Sequence, residues 1–164
     1  LKREGYEFHM KIVFSRHGII DYPSMVSAMK RILKKYDLDR NSVVDAKNLG
    51  DADKSLLFSE SHVFLYPALR ESAVDPPLTI LEAMSYGLCP VTTKVQSIPY
   101  VVRNGERGIL VPKPTSSNIY RALKSCLASK TKITTLSYNA WLYIRQTHNK
   151  TSITKYLEKV IHGC

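Results

Sequence analysis

The sequence predicts an α/β fold, a parallel β-sheet with helices on both faces. Two observations carry this. Short apolar runs such as Val63-Phe64-Leu65-Tyr66 and Pro90-Val91-Thr92-Thr93 read as buried strands. Between them lie segments of helical period, spaced so that each strand is followed by a helix before the next. The chain of 164 residues is the size of one domain and can bury a proper core.

Taken in order, residues 10–14 (MKIVF) read as a strand that runs into Ser15-Arg16-His17-Gly18. A helix over 22–36 sets Met25, Ala28, Met29, Ile32 and Leu33 at helical spacing. Residues 42–45 form a short strand, and Asp51 is placed to cap a helix running through Ser59. A strand at 63–66, a helix at 77–86 and a strand at 90–93 follow. A short helix at 99–103, an Asn104-Gly105 turn and a strand at 108–111 come next. Helices near 116–129, 133–147 and 150–162 close the chain. No internal repeat, linker or low-complexity tract interrupts this order.

The unit from 63 to 90 is the most informative. The strand at 63–66 leads into a polar loop with Arg70, Glu71 and Asp75. Pro76-Pro77 then opens a helix, in whose first turn the missing proline N–H has no partner to lose. In a parallel sheet such a loop leaves the carboxyl end of its strand, where ligands bind. Glu82 is the only charged residue between Asp75 and Lys94. A lone carboxylate among apolar residues points to a paired or ligand-facing group. The backbone N–H groups of Leu78 and Thr79 lie in the first helical turn, where the positive end of the helix dipole favours a diphosphate. Arg16, just past the strand at 10–14, lies at the same edge and could neutralise phosphate charge.

Other chemistry finds little support. The five histidines are scattered, and no metal site or histidine-based triad emerges. Ser15, Ser72 and Ser97 lack a Gly-x-Ser-x-Gly elbow. Cys89, Cys126 and Cys164 are odd in number and far apart, which fits neither a zinc site nor a disulfide framework and points to a reducing compartment. No apolar run reaches the length of a membrane span, and the expectation is a cytoplasmic protein. The Asn149-Lys150-Thr151 sequon reads as chance. The net charge of +10 comes in part from Lys30, Arg31, Lys34, Lys35 and from Lys124, Lys130, Lys132. A solvated basic face is the plain reading. The functional one is a peripheral contact with an anionic membrane. Nucleic acid ranks last as a partner, because no aromatic interleaving or recognisable module accompanies the lysines.

The ordered residues resemble the donor-binding domain of group 1 retaining glycosyltransferases, the carboxyl-terminal half of the GT-B fold, whose sheet is Rossmann-like. The matching residues are Tyr66-Pro67-Ala68, Glu71, Glu82-Ala83-Met84, Gly87-Leu88-Cys89-Pro90-Val91, Ser97-Ile98-Pro99, Asn104-Gly105 and Gly108-Ile109-Leu110-Val111. The resemblance covers about residues 40–125. It implies a hexosyltransferase that uses a nucleoside-diphosphate sugar with retention, without a cofactor or an obligatory metal. The implied acceptor is a sugar, lipid-linked or polysaccharide molecule. Glu82 would accept from the ribose hydroxyls and Glu71 from the donor sugar. The loop before the helix is longer here than in the family. Glu71 and Asp75 are therefore rivals for the first carboxylate, and Asp75 also reads as a cap for the helix at 77. Pro76-Pro77 stands where the family prefers glycine.

The opening LKREGYEFH fits the approach to the domain's second strand. The chain is therefore expected to be a carboxyl-terminal fragment, inactive alone, with the first strand and an acceptor-binding domain upstream. Two alternatives stand beside the transferase: a degenerate nucleotide-sugar-binding module without transfer activity, and a sugar epimerase of the same fold.

Overall fold

The computed structural model describes residues 1–13, 22–45, 50–71 and 74–162. The chain divides into two compact units, Leu1–Leu57 and Phe58–Cys164.

In the first unit, strand β1 (Met10–Val13) pairs in parallel with β2 (Ser42–Asp45), setting Met10 opposite Ser42 and Val13 opposite Asp45. Helix α1 (Tyr22–Lys35) lies between them in sequence and packs on β2, with Leu33 buried. The helix closes on Asp37, which takes a left-handed backbone (φ 55°). Its N–H reaches Lys34 O at 3.1 Å, and Leu38 N–H reaches Leu33 O at 2.8 Å. Aspartate is one of the few side chains that tolerate this conformation. The Lys2 ammonium donates to the Asp37 carbonyl and, at 2.7 Å, to its carboxylate. That contact holds the Asp37 carboxyl below its ordinary value. Asp51 is the first residue of helix α2 (Asp51–Ser59) rather than a cap preceding it.

The second unit holds a parallel sheet in the order β3 (Val63–Tyr66), β4 (Cys89–Thr93), β5 (Ile109–Val111). Val63 faces Cys89 in register, and Val91 faces Ile109. Helix α3 (Leu78–Ser85) follows β3, and α4 (Ile98–Val102) follows β4. Then come α5 (Ser116–Leu127), α6 (Lys130–Thr147) and α7 (Lys150–His162). Alternation along the strands sorts the core into two layers. On one face Leu110 meets Ile80 and Met84 of α3, Ile98 and Val102 of α4, and Ala140 and Ile144 of α6. On the other, Cys89, Val91 and Val111 meet Ala122 and Cys126 of α5 and Leu136 of α6. All five residues of β4 are buried, which is why its sequence reads as apolar without alternation.

Local chemistry explains the boundaries. Helix α3 stops at Gly87 (φ 76°), whose N–H reaches Met84 O at 3.0 Å while Leu88 N–H reaches Ala83 O at 3.1 Å. Thr115 and Ser129 cap α5 and α6, accepting from the N–H groups of Asn118 and Lys132. Asn149 caps α7 in the same way, accepting from Ser152 N–H at 2.9 Å, so the sequon asparagine has a structural role. At Gly108 (φ 155°) a Cβ would stand 2.6 Å from both Pro90 O and Val102 Cγ1, so only glycine fits. Arg107, 8% exposed, donates to Val101 O at 2.9 Å, Tyr100 O at 2.8 Å and the Glu106 carboxylate at 2.8 Å. Its guanidinium also stacks 4.0 Å over the Tyr143 ring, joining the end of α4 to α6. β5 is an edge of its sheet; Leu110 N–H donates to Asn104 Oδ1 at 2.9 Å, and residue 112 is proline.

The strand positions and their parallel pairing agree with the sequence reading. Among the described residues, β1 is hydrogen-bonded to β2, and β4 lies between β3 and β5. The sequence carries where strands occur and not which edges meet. Cys89 and Cys126, scattered in sequence, share one buried layer as free thiols. A hydrogen bond to Cys126, together with burial, pushes the Cys89 thiol far above its ordinary value. The chemistry of Phe14 to Gly18, including Arg16, falls outside the described residues.

Candidate functional site

The loops that leave β3 and β4 at the carboxyl edge of their sheet carry Arg70, Glu71, Asp75, Lys94 and Ser97. β3 ends at Tyr66, and its loop is tied at once to β4: Thr93 Oγ1 donates to Ala68 O at 2.7 Å. The loop continues through Arg70 and Glu71, both exposed, to Asp75 and a cis Asp75–Pro76 peptide.

Asp75 does not cap α3. The N-cap position is Pro77, which offers no side-chain hydrogen bond, and Ile80 N–H reaches back to Pro77 O at 3.0 Å. The Asp75 carboxylate instead accepts from Ser97 N–H at 3.1 Å and from Ser97 Oγ at 2.6 Å. Ser97 is the residue before α4, so the loops after β3 and β4 are joined by this carboxylate. A charged acceptor taking two hydrogen bonds is a strong local tether. Sequence reasoning placed Asp75 correctly on the loop but missed Ser97 as its partner. The two are 22 residues apart and only the tertiary fold brings them together.

Helix α3 begins one residue later than expected, at Leu78, and ends at Ser85. Leu78 and Thr79 are exposed in its first turn, where helical N–H groups have no intrahelical acceptor. Ile80, Ala83 and Met84 form its buried face. Glu82 lies one turn after Leu78 and shares its side of the helix, since side chains four apart stack along a helix. Glu82 is half-buried, and its Oε2 lies out of solvent contact. Lys94 follows β4 directly and is exposed at the same edge.

The structure thus brings Glu71, Asp75, Leu78, Thr79 and Glu82 onto one loop and the helix that follows it. Arg16 lies outside the described residues. Lys94 and Ser97 are the edge residues that the sequence reading gave no part in the site. Among the described residues, no group of three His, Cys, Asp or Glu side chains could hold a metal ion. Such an edge offers helix-dipole N–H groups and a cation for an anion, and carboxylates for hydroxyl donors.

Comparison with known proteins follows the same outline. The model of the family described as "Glycosyl transferases group 1" matches residues 19–141. No curated protein sequence gives a significant match. Among solved structures, a sucrose-phosphate synthase from Thermosynechococcus elongatus is similar over 93% of this chain, with a TM-score of 0.76 and 18% identity. HepE from Anabaena, solved with UDP and glucose, is similar over 96% of this chain, with a TM-score of 0.76 and 14% identity. This chain spans 37% of the synthase and 49% of HepE. The C-terminal domain of a group 1 family protein (LpcC) from Francisella tularensis is matched over 91% of both chains, with a TM-score of 0.70 and 14% identity.

Proposed function

This chain belongs to the group 1 glycosyl transferases, and from that premise we propose that it is the donor-binding part of an enzyme moving a sugar from a nucleoside diphosphate to an acceptor. The observation that carries the reading is Glu82: a half-buried carboxylate one turn into a helix that starts at the carboxyl edge of a parallel sheet. It lies inside the region matched by the family model.

A carboxylate can accept two hydrogen bonds at once, which suits the vicinal hydroxyls of a ribose. The N–H groups of Leu78 and Thr79 meet the diphosphate, and Lys94 offers a cation at that edge. As the bond to the sugar breaks, negative charge grows on the leaving phosphate. Fixed donors at a helix terminus stabilise that charge without reorganising. Glu71 accepts from the donor sugar's hydroxyls. Asp75 has one oxygen engaged by Ser97, which favours a positioning role over sugar contact. Transfer proceeds with retention and calls on neither a cofactor nor a metal. The structural similarity to HepE, solved with UDP and glucose, supports a nucleotide-sugar as donor. The proposal extends to a lipid-linked or polysaccharide acceptor, to peripheral contact with an anionic membrane, and to an upstream acceptor-binding domain.

A second reading, a nucleotide-sugar-binding module without transfer, is favoured by Pro77, which puts a residue without an N–H at the mouth of α3. One experiment separates the two. Labelled nucleotide-sugars and a lipid extract are offered to this chain alone and to the whole protein that contains it. The whole protein should transfer sugar, and the chain alone should bind donor weakly and transfer nothing. Positioning of donor against acceptor, worth up to roughly 7–11 kcal/mol, needs both halves of a cleft. Donor binding without transfer by the whole protein would establish the binding module instead.

A further inference from the structure

Helix α1 carries Lys30, Arg31, Lys34 and Lys35 in its last turns and no acidic residue along its length. Lys30 and Lys34 are one turn apart, hence neighbours on one face, where like charges repel. Both are exposed, and neither forms an ion pair among the described residues. Together with Leu33, Asp39 and Ser42 they line a groove of about 280 Å³ between α1 and the amino end of β2. Ser42 lines this groove, and its hydroxyl is buried beneath the surface without a hydrogen-bond partner among the described residues. Lys30 and Lys34 put two cations against the single carboxylate of Asp39 on this groove, and buried hydroxyls such as that of Ser42 are nearly always paired.

We propose that this groove binds the phosphoryl group of a polyol phosphate ester. Lys30 and Lys34 neutralise its charge, and Ser42 Oγ donates to one of its oxygens. Asp39, the carboxylate in the lining, selects the ester over the bare ion: it repels a free dianion but accepts from a hydroxyl of the attached polyol. The other nearby carboxylate, Asp37, is held by Lys2. Ser42 opens β2, so the groove lies at the end of that strand opposite the one where parallel sheets take their main ligand. The site therefore stands apart from the donor reading and does not depend on it.

The same chemistry is offered by a soluble ester and by a phospholipid headgroup, and the test has an arm for each. The chain is titrated with glycerol 3-phosphate while the Ser42 and Lys34 amide signals are followed, with sodium chloride at matched ionic strength as control. It is also sedimented with vesicles of phosphatidylglycerol in phosphatidylcholine. Saturable shifts with the soluble ester, weakened roughly tenfold in K30Q/K34Q through loss of two charged hydrogen bonds, establish the site for a free ester. Vesicle binding that is lost in K30Q/K34Q, without response to the soluble ester, establishes it for a headgroup. Ser42→Ala should weaken either mode without altering the thermal midpoint. Binding of neither probe, or equal binding by the parent and K30Q/K34Q, would overturn the proposal.

Discussion

At the scale of single residues, carboxylates with similar sequence signatures stand in different surroundings. Glu82 is half-buried on a helix, Glu71 is exposed on a loop, and Asp75 is bound to Ser97. Glu82→Gln should weaken binding of nucleoside diphosphates by about 1–3 kcal/mol, because charged hydrogen bonds become neutral ones, and should leave the fold intact. Calorimetry on parent and variant checks this, and equal affinities would remove Glu82 from the site. Glu71→Gln should spare free nucleotide and weaken only the sugar-bearing donor. If Asp75→Asn alone shows that pattern, Asp75 holds the first-carboxylate role despite its bond to Ser97. Arg107 makes a different point. Nothing in the sequence marks it off from the other basic residues, yet it is buried across three acceptors and an aromatic ring. Arg107→Leu should cost about 2–4 kcal/mol in denaturant unfolding, since it strands the Tyr100 and Val101 carbonyls. Isolation in an apolar run foreshadows the half-burial of Glu82, whereas Arg107 is defined by carbonyls that only the folded chain aims at it.

At the scale of elements, the sequence reading did best where backbone chemistry is local. Uninterrupted apolar strands act within a few residues of themselves and can be read without the fold. The caps, by contrast, were misplaced: Asp51 lies inside α2, Asp75 binds Ser97, and Thr115 and Ser129 do the capping of α5 and α6. Gly108 reads as a strand residue, but its constraint comes from Pro90 of β4 and Val102 at the end of α4, which only the fold brings against it. Gly108→Ala should therefore destabilise by roughly 2–4 kcal/mol, combining overpacking with a disfavoured φ. A thermal midpoint like the parent's would show that β4 and α4 can shift to make room. The end of α1 supplies a pH dependence. The folded Asp37 carboxyl titrates below its unfolded value of 3.8 because of Lys2. The contact is therefore fully stabilising above that pH and is lost as pH falls through the lowered folded value. Asp37→Asn should remove this part of the acid sensitivity, which is read as a smaller drop in midpoint between neutral and strongly acidic buffer.

At the scale of the whole molecule, the order of strands and helices was legible from alternation of period, and the family from an ordered series of short motifs. What did not follow was the strand order β3–β4–β5 within the second unit, because pairing depends on edges rather than on any one strand's composition. The loops after β3 and β4 were legible as polar segments, but their tether through Asp75 was not. One feature of β5 bears on how molecules of this chain meet each other. An edge strand with unsatisfied backbone groups is a template for a strand from a neighbouring chain. Here the Leu110 N–H is already taken by Asn104 and position 112 offers none, so the margin has lost donors that such a visitor would need. Asn104→Ala should reopen it. Light scattering of concentrated solutions under mild heating should then rise sooner than for the parent, well below the temperature at which the core itself melts.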